Sequence, residues 1–258
     1  MTPYCIITSS KGRLAHLKQT LPTWLAHTPC NVVVVDAGCP DGTAAWAAKM
    51  HPERVAVRAT GSLPQAPFSK PEALNYGVHY ALYCWSSTAF LLFLDADTIV
   101  HPRMWSETAG HFAADSMLIV TPSQAARDLT GVLGVHQREF FAVGGYDREF
   151  AGWGAEDLDL RLRLYLRRRL RPVELPPTLF AAIPHDDELR TRHYLERDKA
   201  RSHMRNLQRA ADNAAAAAQL SIIELLARDP MVSRLLGADA SPGSVTVLHP
   251  SPDGDPGT

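Results

Sequence analysis

Along the first hundred positions, short continuous apolar runs alternate with stretches in which apolar residues return every three or four places. Tyr4-Cys5-Ile6-Ile7-Thr8, Asn31-Val32-Val33-Val34-Val35-Asp36 and Val55-Ala56-Val57-Arg58 have no polar alternation, the pattern of strands covered on both faces. Between them Leu14, Leu17, Leu21, Trp24 and Leu25 keep helical spacing until His27-Thr28-Pro29 stops them. The turn Ala37–Gly42 leads into a short helix from Thr43. The Pro-rich loop 61–71 leads into another that carries Glu72, Asn75, Tyr76, His79 and Tyr80. Strands and helices alternating over such short connections predict a parallel, right-handed, doubly wound sheet.

The strongest apolar run is Phe90-Leu91-Leu92-Phe93-Leu94, continuing into Asp95-Ala96-Asp97-Thr98-Ile99-Val100. Two carboxylates two positions apart at the carboxyl end of a buried strand can converge on one ion. Hard oxygen ligands of this kind suit Mg2+ or Mn2+ shared with substrate phosphates. An isolated Asp-x-Asp is as often a solvated strand cap. In open α/β sheets, however, ligands bind at this end of the strands.

Composition narrows the classes. With 258 residues and 46% apolar content the chain can bury a full core, and a net charge of −1 gives no overall footprint for nucleic acid. Cys5, Cys30, Cys39 and Cys84 lack metal-ligand spacing and read as reduced thiols, Cys5 and Cys84 within apolar runs. That usage, with no apolar run of membrane length and no leader pattern, predicts a soluble cytoplasmic protein.

The order of the pieces in the first half resembles the GT-A fold of nucleotide-sugar-dependent glycosyltransferases, family-2-like. Thr8 and Arg13 follow strand one, Val35-Asp36-Ala37-Gly38 closes strand two, Ala73-Leu74-Asn75-Tyr76-Gly77 lies on a helix, and Asp95-Ala96-Asp97 comes next. The second half carries Gly144-Gly145-Tyr146-Asp147 and Gly152-Trp153-Gly154-Ala155-Glu156-Asp157. These closely resemble the Gly-Gly-Tyr-Asp and Gly-Trp-Gly-x-Glu-Asp segments of inverting galactosyltransferase-type enzymes.

The resemblance implies an inverting hexosyltransferase using a nucleotide-diphosphate sugar, UDP-linked by preference, and Mn2+ or Mg2+. It implies donor contacts at Thr8, Arg13, Asp36, Asn75, Asp95 and Ala96, with Asp36 on the nucleoside and Asp41 able to assist it. Asp97 would hold the metal, with His185 or else Asp186 as its second protein ligand. Asp157 would be the general base, Glu156 would orient the acceptor, and Trp153 and Gly154 would line the acceptor side. Such chemistry needs one base for the acceptor proton and positive charge for the departing diphosphate. A tryptophan face suits a sugar ring, and glycines admit close backbone approach. The residue types also allow an ordinary acidic helix start with a buried tryptophan.

Arg161, Arg163, Arg167, Arg168, Arg169 and Arg171 read as a solvated helix face, with an anionic partner as the functional alternative. The expected organisation is a GT-A domain over 1–188, divided into a nucleotide-sugar half (1–100) and an acceptor half (101–188). A C-terminal helical extension over 189–238 and a disordered tail over 239–258 follow. The extension would pack on the core or on a second copy in a homodimer. The acceptor would be a hydroxyl of a glycan, lipid-linked or natural-product molecule, with nucleic acid a remoter choice. Two other classes fit parts of the chain. Leu94–Thr98 matches the nucleophile motif of haloacid-dehalogenase-type phosphohydrolases, though three strands precede it here, and Trp153 alone would serve a non-catalytic carbohydrate-binding protein.

Overall fold

The computed structural model describes residues 2–121 and 127–227, so the expected tail and the end of the helical extension lie outside the described residues. The first half is β1 (Tyr4–Ser10), α1 (Leu14–His27), β2 (Asn31–Asp36), α2 (Thr43–Ala47), β3 (Val55–Ala59), α3 (Lys70–Cys84) and β4 (Phe90–Phe93). The second half is β5 (Thr98–Val100), α4 (Met104–Thr108), β6 (Ser116–Ile119), β7 (Leu133–His136), α5 (Gln137–Ala142), α6 (Glu156–Arg168), β8 (Arg171–Glu174), β9 (Phe180–Ala182), α7 (Asp187–Thr191) and α8 (Lys199–Ala227).

A seven-stranded sheet in the order β3-β2-β1-β4-β7-β6-β8 forms the centre. Its first four neighbours are parallel, as the alternating pattern predicts, whereas β7 runs antiparallel to both β4 and β6. With β6 and β8 also parallel, the sheet is mostly parallel and flanked by helices, as the α/β GT-A resemblance implies, and β7 is its antiparallel strand. A second, two-stranded ribbon pairs β5 with β9. The expected single strand from Phe90 to Val100 is interrupted, because the chain turns at 94–97 and changes sheets.

Alternate residues of β1 enter different cores. Ile6 packs with Val32, Val34, Leu92 and the Leu17-Leu21-Trp24 stripe of α1, while Cys5 and Ile7 pack with Val33, Val35 and residues of α3 and α6. Burial on both faces explains why these strands show no polar alternation. All four thiols are free; Cys5 and Cys30 are buried, and Cys39 and Cys84 are half-buried. Burial pushes the Cys30 thiol up to about 11, which keeps it protonated and unreactive.

Contacts cluster into two units, 1–218 and 219–258, and the described part of the second is the last turns of α8. Within the first unit, the start of α8 packs onto its own chain. Arg209 donates to Asp147 at 2.7 Å, and Asn213 bridges Asp147 at 2.9 Å and Asp159 at 2.8 Å. No helix among the described residues is long and apolar enough to cross a membrane.

The expectation of a solvated arginine face holds for only part of the run. Arg168, Arg169 and Arg171 are exposed, but Arg161 and Arg163 are buried. Arg161 donates to the carbonyls of Val120, Thr130 and Val132. Arg163 donates twice to Asp159, one turn earlier on α6, and once to the carbonyl of Val143. Arg161 Nε alone is left without a hydrogen-bond partner. Buried guanidinium groups held by several acceptors are internal struts that cost several kcal/mol to break, roughly 3–5.

Candidate active site

The turn between β4 and β5 is held from the α1 side. Thr20 Oγ1 donates to the carbonyl of Ala96 at 2.9 Å and Trp24 Nε1 to that of Thr98 at 2.7 Å, so the helical stripe read from the sequence also fixes the Asp95–Asp97 turn. The β5–β9 register sets Thr98 against Ala182, and the amide of Ile183 donates to the carbonyl of Asp97. His185, just beyond, thereby reaches Asp97, its Nε2 lying 2.6 Å from Oδ2. Asp97 Oδ1 is buried without a hydrogen-bond partner, as is Nη1 of nearby Arg13. Asp186 instead caps α7, accepting from the amide of Leu189 at 2.7 Å.

Among the described residues no third His, Cys, Asp or Glu completes a metal cluster. A carboxylate with one unused buried oxygen beside an imidazole still fits Mn2+ or Mg2+, which take one or two protein ligands and fill the remainder with water and phosphate oxygens.

The second group of carboxylates stands at the start of α6. Ala155 holds a left-handed φ of 70° and turns the chain so that Glu156 and Asp157 open the helix, where the dipole favours negative charge. Both are buried. Asp157 Oδ1 accepts from the Tyr146 hydroxyl at 3.1 Å, and Oδ2 accepts from Lys70 Nζ at 2.8 Å. The same ammonium lies 2.9 Å from Asp95 Oδ1 and 3.2 Å from Glu156 Oε1. Burial pushes the Asp157 carboxyl above its ordinary range; Lys70 opposes this and Glu156 adds to it. Asp95 is raised in the same way, by burial against the pull of Lys70. Gly131 faces Asp95 so closely that a side chain there would overlap the Asp95 carboxylate.

Arg13, Ala96, Asp97, Trp153, Asp157 and His185 all line one cavity of about 1050 Å3, together with Asp95, Gly154 and Glu156. Three other expected site residues do not line it. Thr8 is fully buried within β1. Asp36 accepts from the amides of Gly38, Cys39 and Ala44, and so builds the turn after β2. Asn75 donates to the carbonyl and accepts from the amide of Tyr146, which fixes the Gly144-Gly145-Tyr146 turn beneath Asp157. Asp41 caps α1 through the amide of Leu14.

The glycines of the Trp153 segment are explained by α8. A Cβ on Gly154, at φ +96°, would stand 2.6 Å from His203 Nδ1, so the close approach is to the protein's own helix. Lys199 Nζ lies 4.5 Å from the centroid of the Trp153 ring and the Arg190 guanidinium 5.8 Å.

Lys70, Arg190, His193, Tyr194, Lys199 and His203 also line the cavity, and sequence reasoning did not find them. Only Lys70 left a local trace: Ser69-Lys70-Pro71-Glu72 is a helix start, with Ser69 accepting from the amide of Glu72, and a lysine there opposes the helix dipole.

Solved structures with a similar fold include TarS 1-349 from S. aureus and the mannosyltransferase PcManGT from Pyrobaculum calidifontis in complex with GDP-Man and Mn2+. The first is 16% identical with a TM-score of 0.53, covering 67% of this chain and 57% of that one. The second is 15% identical with a TM-score of 0.57, covering 92% and 83%. The fold is GT-A. This GT-A chain thus spans 57% of the length of the TarS fragment. Residues 111–178, which include Trp153 and Asp157, match a family model described as the N-terminal domain of galactosyltransferase. No curated protein matches the sequence.

Proposed function

We propose that the chain is a metal-dependent, inverting glycosyltransferase that moves a hexosyl group from a nucleotide-diphosphate sugar, with UDP-sugars the first choice, to an acceptor hydroxyl. The observation that carries this reading is the meeting of Asp97, His185 and Asp157 on one cavity large enough for a nucleotide sugar. Two neighbouring folds, TarS and PcManGT, have been solved with UDP and with GDP-Man and Mn2+ respectively, which supports a nucleotide-sugar donor.

Asp157 takes the proton of the acceptor hydroxyl, and its two oxygens are already oriented by Tyr146 and Lys70. Glu156, Trp153 and Gly154 form the acceptor side. Arg13, Asp95 and Ala96 form the donor side. Thr8, Asp36 and Asn75 act one layer behind, shaping the strand ends and turns that hold the nucleoside and the base. Asp97 and His185 would hold Mn2+ or Mg2+, which supplies positive charge against the leaving diphosphate. Arg13 and Arg190, each with a buried N–H group lacking a hydrogen-bond partner, add protein charge at the same wall. A diphosphate needs no protonation to leave, so one carboxylate base is sufficient, unlike the paired carboxyl groups of glycoside hydrolysis.

A panel of UDP- and GDP-sugars, assayed by calorimetry and by release of the nucleoside diphosphate with and without Mn2+, tests the proposal. At least one donor should bind more tightly with Mn2+ and hydrolyse slowly without an acceptor. Failure of every nucleotide sugar to bind would end this reading.

A further inference from the structure

Lys70 Nζ is within hydrogen-bonding reach of carboxylates from both halves of the site: Asp95 at 2.9 Å, Asp157 at 2.8 Å and Glu156 at 3.2 Å. Its side chain is 11% exposed, so water contributes little to balancing these charges. Burial pulls the pKa of this ammonium down, yet Asp157, Asp95 and Glu156 together hold it well above the usual value. One residue therefore joins three elements: the strand end that carries the Asp95–Asp97 turn, the first turn of α3, and the first turn of α6.

The location is locally unfavourable. Lysine as the first residue of α3 sits at the positive end of the helix dipole, which favours an acidic residue. A residue that opposes its local setting but satisfies a tertiary one marks a site held for another reason.

We infer that Lys70 is a positioning residue for the transfer reaction, fixing the Asp157 carboxylate relative to the donor-side turn. The inference rests on the transferase reading above. A base acts only when its oxygen reaches the acceptor proton in line with the donor carbon, and displacements near 1 Å cost about 100-fold in rate. Here donor and acceptor sides belong to different segments, and their relative position is set through Nζ. Tyr146 aligns the other oxygen of Asp157, so removal of Lys70 leaves the carboxylate anchored at one oxygen only.

The test is a double-mutant cycle on the full chain, with wild-type transfer from the best UDP- or GDP-sugar measured first. Lys70→Met should lower turnover about 30- to 100-fold, leave calorimetric affinity for the free nucleoside diphosphate within about threefold, and lose little more when Asp157→Asn is added. Turnover of Lys70→Met within about threefold of wild type, or losses in the cycle that multiply in full, would overturn the inference. If Lys70→Met does not fold, the same cycle with Lys70→Arg decides. Arg keeps the charge but cannot place three single contacts alike, so a wild-type rate there also overturns it. Absence of transfer by the wild type with every donor would defeat the transferase reading and this inference with it. An active wild type with an indifferent Lys70 defeats this inference alone.

Discussion

His185 Nε2 lies 2.6 Å from Asp97 Oδ2, although the two residues are 88 positions apart, and the other oxygen of Asp97 is buried with no partner. The pairing is made by the short β5–β9 ribbon and not by the main sheet. If this pair holds a divalent ion with the donor phosphates, Mn2+ and UDP or GDP together should raise the melting temperature more than either alone. A ligand at 100 times its dissociation constant adds about 2.7 kcal/mol. Asp97→Ala should abolish the joint effect, and EDTA should reproduce that loss in the wild type.

The same pair sets an acid limit on stability. Burial opposes the charge on Asp97, but the His185 hydrogen bond and the charges of His185 and Arg13 outweigh it and hold the carboxyl below its ordinary value of 3.8. A depressed acid stabilises the fold fully above the unfolded value and loses that contribution as pH falls through the folded one. Denaturant melts between pH 5 and pH 2, on the order of that window, should therefore fall less steeply for Asp97→Asn than for wild type.

Asp157 shifts the other way. Burial raises its carboxyl above 3.8 despite Lys70, so the base becomes protonated at higher pH than an ordinary aspartate. The acid limb of kcat should accordingly lie above 3.8. Asp157→Asn should reduce turnover by about 100- to 10,000-fold while leaving donor affinity intact. A folded Asp157→Asn protein with near wild-type transfer would remove this residue from the mechanism.

Gly154→Ala should disturb stability and activity together. The new methyl would stand 2.6 Å from His203 Nδ1 at a φ of +96°, so a loss of about 1–3 kcal/mol in melting experiments is expected. His203→Ala in the same chain should recover only part of it, since it relieves the overlap but not the backbone strain.

Asn206, on α8, donates to the carbonyls of Ala151 at 3.1 Å and Gly154 at 2.9 Å. Asn206→Ala should leave the Gly154 carbonyl short of a donor while that of Ala151 keeps Arg205, costing about 1 kcal/mol. Because those carbonyls precede Glu156, turnover should fall about tenfold with little change in donor affinity. Equal losses in donor binding and turnover would show a general unfolding instead.

What could be read in the sequence was what depends on neighbours along the chain. Continuous apolar runs gave β1, β2 and β4, and the helical stripe Leu17-Leu21-Trp24 gave α1. The expected His185 and Asp157 fall on the same cavity as Asp97 because each sits at the end of a strand or the start of a helix that opens there. What escaped depends on contacts far apart in sequence. Lys70 looks like any lysine at a helix start until Asp157, 87 residues later, is brought against it. Arg163 looks solvated, although Asp159 one turn earlier offered an i,i+4 partner, because nothing in the spacing shows that the pair is buried. Asp36, which the resemblance places on the nucleoside, also has a turn to hold. The amides of Gly38, Cys39 and Ala44, which occupy its carboxylate, follow from the turn the chain then makes.

The bracing of residues 151–154 by α8 also has a meaning in time. All nine strands among the described residues, and the residues proposed for donor, metal and base, are synthesised before Lys199, yet Ser202 and Asn206, which bond the loop leading to Asp157, come after it. A growing polypeptide that has reached residue 198 carries a nearly complete sheet and an unbraced loop ahead of its base. On the transferase reading it would engage nucleotides while remaining poor at transfer, so competence for chemistry would follow the donor site in time, arriving once the helix beginning at Lys199 has docked.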